Sequence, residues 1–386
     1  RTLIDEFATE IASIRARVDG LEARFNDFEA GSFSTTTTLD GKAVFVIGAV
    51  DGITEINSSA TEAVATGYVY QMNLNTSFTG DDNLYVRLKT GVWASQFESK
   101  PGTYHIEAKD NTDALKVDKI WYTFPIGDNV TAFIGPRIEN YYMNAATVSL
   151  YRPGALKAFK FTANGAVFGA STDTGAGFKY VADNGFAFGA NFVCKSGDAT
   201  AGCLTKEDNN QTQAMLAYTG DNWHISATYA QSSGGWNAYK YFATDLIGQA
   251  DGGTTDSNAW ALRGWWRPAE TGTATPTVSL AYDSIDFGTT HTDNVGDGSG
   301  YAVGLMWYDM FQPDDRIGVA FGQPVKADAV TTGTLSEVDP FLWEAYYSFK
   351  VNDSVEMTPA IFGGTDVYGD TSDDIFGAVL TTVFKF

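Results

Sequence analysis

From residue 33 to residue 386, strand-length segments are joined alternately by a tight polar turn and by a long polar connection, and this asymmetry restricts the fold more than any single motif. The tight turns fall at 79–83, 127–129, 183–185, 220–222, 268–276, 312–315 and 351–354. Between them lie long connections such as 94–116, 232–258 and 323–339. Short turns at one rim and long loops at the other are the layout of an antiparallel β-barrel that crosses an outer membrane. Strands are read near 38–49, 64–77, 84–93, 117–126, 130–136, 174–182, 186–194, 211–219, 223–231, 259–267, 276–284, 300–309, 316–322, 341–350, 355–363 and 375–386. That is about sixteen, the even number a single-chain barrel requires, with both chain ends at the short-turn rim.

Composition agrees. Aromatic residues reach 14% and Gly contributes 40 residues, which favours strands and the turns between them. Charged residues are only 19%, below the usual quarter, yet no apolar run approaches the ~18 residues of a membrane helix. A barrel reconciles the two, because each strand offers only alternate residues to lipid. In 341–350, Phe341, Trp343, Ala345, Tyr347 and Phe349 face one way and Leu342, Glu344, Tyr346, Ser348 and Lys350 the other. In 84–92, Leu84, Val86, Leu88, Thr90 and Val92 oppose Tyr85, Arg87, Lys89 and Gly91. A soluble sandwich would reverse the sense of such strands. The last strand decides for a membrane: Phe376, Leu380, Phe384 and the terminal Phe386 share one face, and a closing Phe386 is the signal read by outer-membrane assembly machinery.

The first residues follow another period. Ile4, Phe7, Ile11, Ile14, Val18, Leu21, Phe25 and Phe28 are spaced 3, 4, 3, 4, 3, 4, 3. This is an a/d heptad seam, and Ile at both a and d leans toward three strands. Residues 1–30 are therefore expected to be a periplasmic trimerisation coil, and 31–386 the barrel. The chain opens mid-helix at Arg1, so a preceding portion is expected. Cys194 and Cys203 flank a polar, turn-rich segment and are expected to close a loop by a disulfide in an oxidising compartment.

The stretches LIDEF at 3–7, RARVDGLEAR at 15–24 and FSTTTTLDG at 33–41 resemble the cyanobacterial outer-membrane porins related to the OprB carbohydrate-selective family. The resemblance is close over the coil and first strand, and one of layout and terminus over the barrel. It implies a bacterial outer-membrane protein. It also implies an S-layer-homology domain ahead of the coil, binding a peptidoglycan-linked polymer; that domain is not within these residues.

No catalytic constellation is present. His105, His224 and His291 are scattered, with His224 near Ser226 the weak exception, and neither a metal-ligand spacing nor a phosphate loop is found. No cofactor or metal is expected. The net charge of −22 argues against a nucleic-acid partner. It fits solvation of large loops, or acidic extracellular loops that bind Ca²⁺ or Mg²⁺ beside lipopolysaccharide. Acidic residues concentrate at 283–297 and 366–374.

The segment 137–165, after the fifth strand, is where trimeric sixteen-stranded porins narrow the channel with an inward loop. Arg137, Glu139 and Arg152 are candidates for the constriction, with Tyr141 and Tyr142 walling it. Alternation selects Arg87, Lys89, Lys119, Arg263, Arg267, Glu344 and Glu356 on the facing wall. Fixed charges in a narrow, low-dielectric passage act strongly on ions. The reading is a homotrimeric porin passing small solutes and inorganic ions passively, with acidic vestibules above a cationic waist. The rivals are a structural tether between outer membrane and peptidoglycan with a plugged lumen, and a soluble trimeric β-fibre.

Overall fold

The computed structural model describes residues 36–386 apart from 99–101, 163–165, 169–171, 196–201, 204, 206–208, 234–255, 288–295, 330–338 and 368–373, together with Arg15, Arg17, Val18 and Gly20. Those four are helical. Of the heptad seam only Val18 is among the described residues; Ile4, Phe7, Ile11, Ile14, Leu21, Phe25 and Phe28 lie outside them, as does His291.

Sixteen strands follow: β1 Thr37–Asp51, β2 Ala65–Thr76, β3 Asn83–Val92, β4 Lys116–Ile126, β5 Val130–Ile138, β6 Asp173–Val181, β7 Phe186–Cys194, β8 Asn210–Thr219, β9 Trp223–Ser233, β10 Ser257–Trp266, β11 Thr277–Asp286, β12 Asp297–Tyr308, β13 Arg316–Ala329, β14 Phe341–Asn352, β15 Val355–Thr365 and β16 Ile375–Lys385. Each pairs antiparallel with its sequence neighbours, and β1 pairs with β16 to close the barrel. Closure satisfies the edge hydrogen bonds that a bilayer would otherwise leave unmet. Every strand read from the sequence corresponds to one observed.

The alternation runs in the membrane sense. In β14, Leu342, Glu344, Tyr346 and Ser348 are buried and point inward. The large apolar side chains of other strands point out and stay exposed: Leu216 by 59%, Ile225 by 59%, Ile134 by 56% and Trp260 by 50%. No helix among the described residues is long and apolar enough to cross a membrane. Aromatic rings such as Trp223, Trp266 and Tyr180 mark the outer face near the short turns, and Trp260, Tyr282 and Tyr301 mark it near the long loops. Such girdles sit at the two interfaces of the lipid.

Phe386 is held into the sheet. Its amide donates to the Gly41 carbonyl at 3.1 Å and its carbonyl accepts from the Gly41 amide at 2.8 Å. Its ring lies on Tyr70, 5.7 Å between centroids, and crosses Gly41 so closely that a Cβ there would sit 2.6 Å from ring carbon. Two tight turns share a staple. Asp82 accepts from the Phe78 and Thr79 amides at 2.8 Å each and from the Tyr122 hydroxyl at 2.6 Å. Asp315 likewise takes the amides of Met310, Phe311 and Gln312 and the Tyr347 hydroxyl. At the long-loop rim, Cys194 at the end of β7 is disulfide-bonded to Cys203, with 5.7 Å between their Cα atoms.

Candidate functional site

Among the described residues, two connections pack into the barrel interior. The first, L2 (93–115), follows β3 and buries Trp93, Phe97, His105 and Ala108 against the inner wall. Composition alone reads this segment as an exterior polar loop. The structure corrects that, because its apolar side chains find the inward-facing Val44, Val46 and Val69. The second, L3 (139–172), follows β5. It buries Met143, Val148, Leu156, Phe159, Val167 and Phe168.

The wall pins L3 along its course. Trp265 of β10 donates its indole N–H to the Thr147 carbonyl at 2.8 Å. The Ser279 hydroxyl of β11 accepts from the amides of Leu150 and Tyr151. The far point is Glu344 of β14, whose carboxylate accepts from the amides of Gly154 (3.3 Å), Ala155 (3.0 Å) and Leu156 (2.7 Å) and from the Tyr151 hydroxyl (2.7 Å). Successive amides converging on one carboxylate form an anion nest, here filled by the protein's own side chain. Small residues let the chains approach: a Cβ at Gly304 would lie 2.6 Å from the Tyr151 ring, and one at Gly154 or Gly318 would overlap Tyr346. On its return, the Phe161 carbonyl accepts from Arg263 Nε at 3.0 Å. L2 meets L3 through a bridge between His105 and Leu156, with Ile106 N donating to the Ala155 carbonyl at 2.7 Å.

A band of charge runs between this double loop and the inner face of β1–β4. Lys42 pairs with Glu107 at 2.6 Å, and their side chains keep 26% and 22% exposure. Arg87 Nε donates to Asp118 at 2.6 Å, and Lys109 stands 3.5 Å from the same carboxylate. Lys119 pairs with Glu139, and Lys160 lies 3.9 Å from the centroid of Tyr141. Lys89 shares the electrostatic environment of Glu107, Arg87, Asp118 and Lys42. The loop carboxylates are ionised: against burial, Lys42 and Lys89 hold Glu107 down to about 2, and Lys119 and Lys160 hold Glu139 down to about 2. Burial pushes Lys160 down to about 8 and His105 down to about 4. A row of rings lies alongside: Tyr85, Trp121, Tyr142, Tyr141 and Phe161 follow one another at centroid spacings of 4.4, 4.7, 4.7 and 4.9 Å.

Of the residues singled out from sequence, Arg87, Lys89, Lys119 and Glu139 come together in this band. Arg137 does not. A bulge in β5 between Gly135 and Ile138 places it opposite Ile120 on the outer face, exposed, with its Nε 3.3 Å from the Asp118 carbonyl. Arg263 faces inward but is sealed under Phe168, with its Nη2 donating to both carboxylate oxygens of Asp283 at 2.8 and 2.9 Å. Asp283, placed by sequence in an acidic loop, is thus a β11 wall residue. Glu344 is committed to the L3 nest. Glu356 pairs with Arg316 at 2.7 Å and Lys385 at 3.2 Å near the short-turn rim, and Arg152 and Arg267 also lie toward that rim. Sequence reading missed Lys42, Glu107, Lys109, Asp118 and Lys160. Alternation in β1 would have found Lys42. Asp118 enters through a bulge that breaks alternation, since Arg87 pairs with Lys119 but Leu88 with Val117.

The other histidine near a hydroxyl is structural. His224 contacts Thr219 Oγ1 at 2.8 Å through Nδ1 and Ser226 Oγ at 3.0 Å through Nε2, stacked on Trp265. No carboxylate among the described residues orients it as a triad would require.

A closed sixteen-stranded barrel with its third loop folded into a charged lumen defines an outer-membrane porin. The chain belongs to the OprB family of carbohydrate-selective porins, whose family model matches residues 3–362. This is a family of channels rather than enzymes. An uncharacterized protein of Nostoc sp. is 26% identical over 437 residues, spanning all of this chain and 71% of its own. One of Synechocystis sp. is 24% identical over 396 residues, covering 94% of this chain and 71% of its own. Among solved structures, Pseudomonas putida OprB at high pH superposes with a TM-score of 0.59 at 10% identity, over 91% of this chain and 94% of that one. A mutant porin of Rh. blastica gives 0.53 at 11% identity, over 91% and 100%. At such identities the likeness is one of fold.

Proposed function

We propose that this porin passes small solutes and inorganic ions by passive diffusion through an eyelet between β1–β4 and the inward loops, L3 near 137–165 and L2, and that the eyelet favours anions and neutral sugars. The observation that carries this is the charge balance of the band. Lys42, Arg87, Lys89, Lys109, Lys119 and Lys160 face Glu107, Asp118 and Glu139. Even with Asp40, which lies below them between Asn73 and Asn75, cations exceed carboxylates. Partial exposure of Lys42 and Glu107, against full burial of Arg263 and Glu344, supports water on this side of the lumen. In a narrow low-dielectric passage such a surplus repels cations. The ring row offers flat apolar faces to sugar C–H groups, which fits the family's carbohydrate selectivity.

Reversal potentials in a KCl gradient across a planar bilayer test this. An anion preference is expected. Strong cation selectivity that survives neutralising the acidic outer loops would refute it, and absence of conductance would leave the tether. The same reading takes the protein as a homotrimer among outer-membrane lipid and lipopolysaccharide. Residues 1–30 would gather three N-termini on the periplasmic side and lead toward a peptidoglycan-linked polymer.

A further inference from the structure

Below L3, toward the short-turn rim, the lumen holds a second concavity. A cleft of about 340 Å³ opens between the loop and the wall, with Arg152, Arg267, Glu270, Thr277, Met306 and Tyr308 in its lining. None of the charged residues of the eyelet lines it. We propose that this cleft binds a hexose-sized polyol carrying a phosphate or a carboxylate, as a second station for solute beyond the eyelet.

Two arginines from different elements line the cleft, and both are exposed. Neither forms an ion pair among the described residues. Each is nevertheless positioned. Arg267 Nη2 donates to the Asp221 carbonyl at 2.9 Å, and its guanidinium carbon lies 5.8 Å from the Trp265 ring centroid. The Arg152 carbonyl accepts from the Tyr346 hydroxyl, two residues before the backbone amides held by Glu344. The Tyr308 hydroxyl donates to the Leu150 carbonyl at 3.4 Å, which fixes the ring beside Arg152. A planar fork of donors matches a carboxylate or phosphate edge in a way an ammonium does not. The rest of the lining suits a sugar body: the Thr277 hydroxyl, the Tyr308 ring and the Met306 side chain. The volume is at the small end of ligand sites, roughly 300 Å³ and upward, so a bare inorganic anion would leave most of it unfilled. Glu270 at the edge disfavours a second anionic group there.

The station rests on the diffusion-pore reading, because conduction works through successive sites that hold a solute weakly enough to release it. Its test reads binding separately from conductance. The purified full chain in detergent is titrated with glucose 6-phosphate, gluconate, glucose and inorganic phosphate, following tryptophan fluorescence, with Trp265 beside Arg267 as the reporter. Glucose 6-phosphate and gluconate should saturate, with glucose and inorganic phosphate about tenfold weaker, a difference of about 1.4 kcal/mol. R152Q/R267Q should weaken the two sugar anions by about tenfold or more, given two charge-assisted contacts. R152K/R267K, which keeps the charge and loses the fork, should weaken them less. Heat-modified gel mobility verifies that each variant is a closed barrel. Equal binding of glucose or of inorganic phosphate, or unchanged binding in R152Q/R267Q, would overturn the proposal. Saturable, arginine-dependent binding by a chain that does not conduct KCl would remove the pore reading and leave the cleft.

Discussion

Inward-facing ionised side chains in this barrel meet opposite fates according to what L3 lays over them. Arg263 is buried with Asp283 as its ion-pair partner, so removing the carboxylate strands a cation out of water. Asp283→Asn should destabilise the barrel by about 3–5 kcal/mol, the range for breaking a buried pair from one side. Urea unfolding in lipid vesicles would show it as a lower midpoint; an unchanged midpoint would mean that water reaches Arg263. Lys160 differs, because it lies over the faces of Tyr141 and Phe161 and shares Glu139 with Lys119. Burial, opposed by Glu139 and assisted by Lys119 and Arg87, brings it down to about 8. A lysine with a lowered value is charged below that pH and neutral above it. Anion preference should therefore fall between pH 7 and pH 9, and Lys160→Gln should flatten that part of the profile in reversal-potential measurements. A wild-type profile that stays flat to pH 9 would place Lys160 away from the conducting path.

At the scale of elements, strands were far more legible than loops. A strand facing lipid on one side and water on the other leaves a period of two in the sequence, as the strands at 84–92 and 341–350 show. A loop that packs inside a water-filled barrel has the same polar composition as one that packs outside. Position after the fifth strand pointed to L3, but nothing comparable marked L2, whose Trp93 and Phe97 are ordinary exceptions in a polar stretch. Bulges explain two site residues the sequence did not place: β4 turns Asp118 inward, and β5 runs on to Ile138 and turns Arg137, read as a loop residue, outward. Glu344 was found as an inward charge, but its role was hidden, because its partners are backbone amides with no sequence signature. Those bonds make it the peg of the constriction. Glu344→Ala should release 151–156 from the wall, raising open-channel current noise and conductance and exposing L3 to protease added to proteoliposomes. Glu344→Gln retains one carbonyl acceptor and should fall between. Unaltered noise and protease resistance in the alanine variant would show that Trp265 and Ser279 hold the loop alone.

At the scale of the molecule, closure depends on residues far apart in the chain. Lys42 to Asp51 pair with Lys385 to Phe376, and Phe386 extends the ladder to Gly41. The entry of β1 and the end of β16 share the short-turn rim, and residues 1–30 attach there. An uninterrupted heptad seam over Ile4, Phe7, Ile11, Ile14, Val18, Leu21, Phe25 and Phe28 is costly to leave exposed and gains by self-association. Deleting 1–30 should leave single-channel conductance per pore within about twofold, since the eyelet is built from β1–β4, L2 and L3. It should also shift detergent-solubilised particles from trimer toward monomer in light scattering. The two readouts separate the roles. Loss of conductance with retained assembly would mean that the N-terminal segment reaches into the pore, whereas a trimer that survives the deletion unchanged would place the assembly contacts on the lipid-facing wall of the barrel itself.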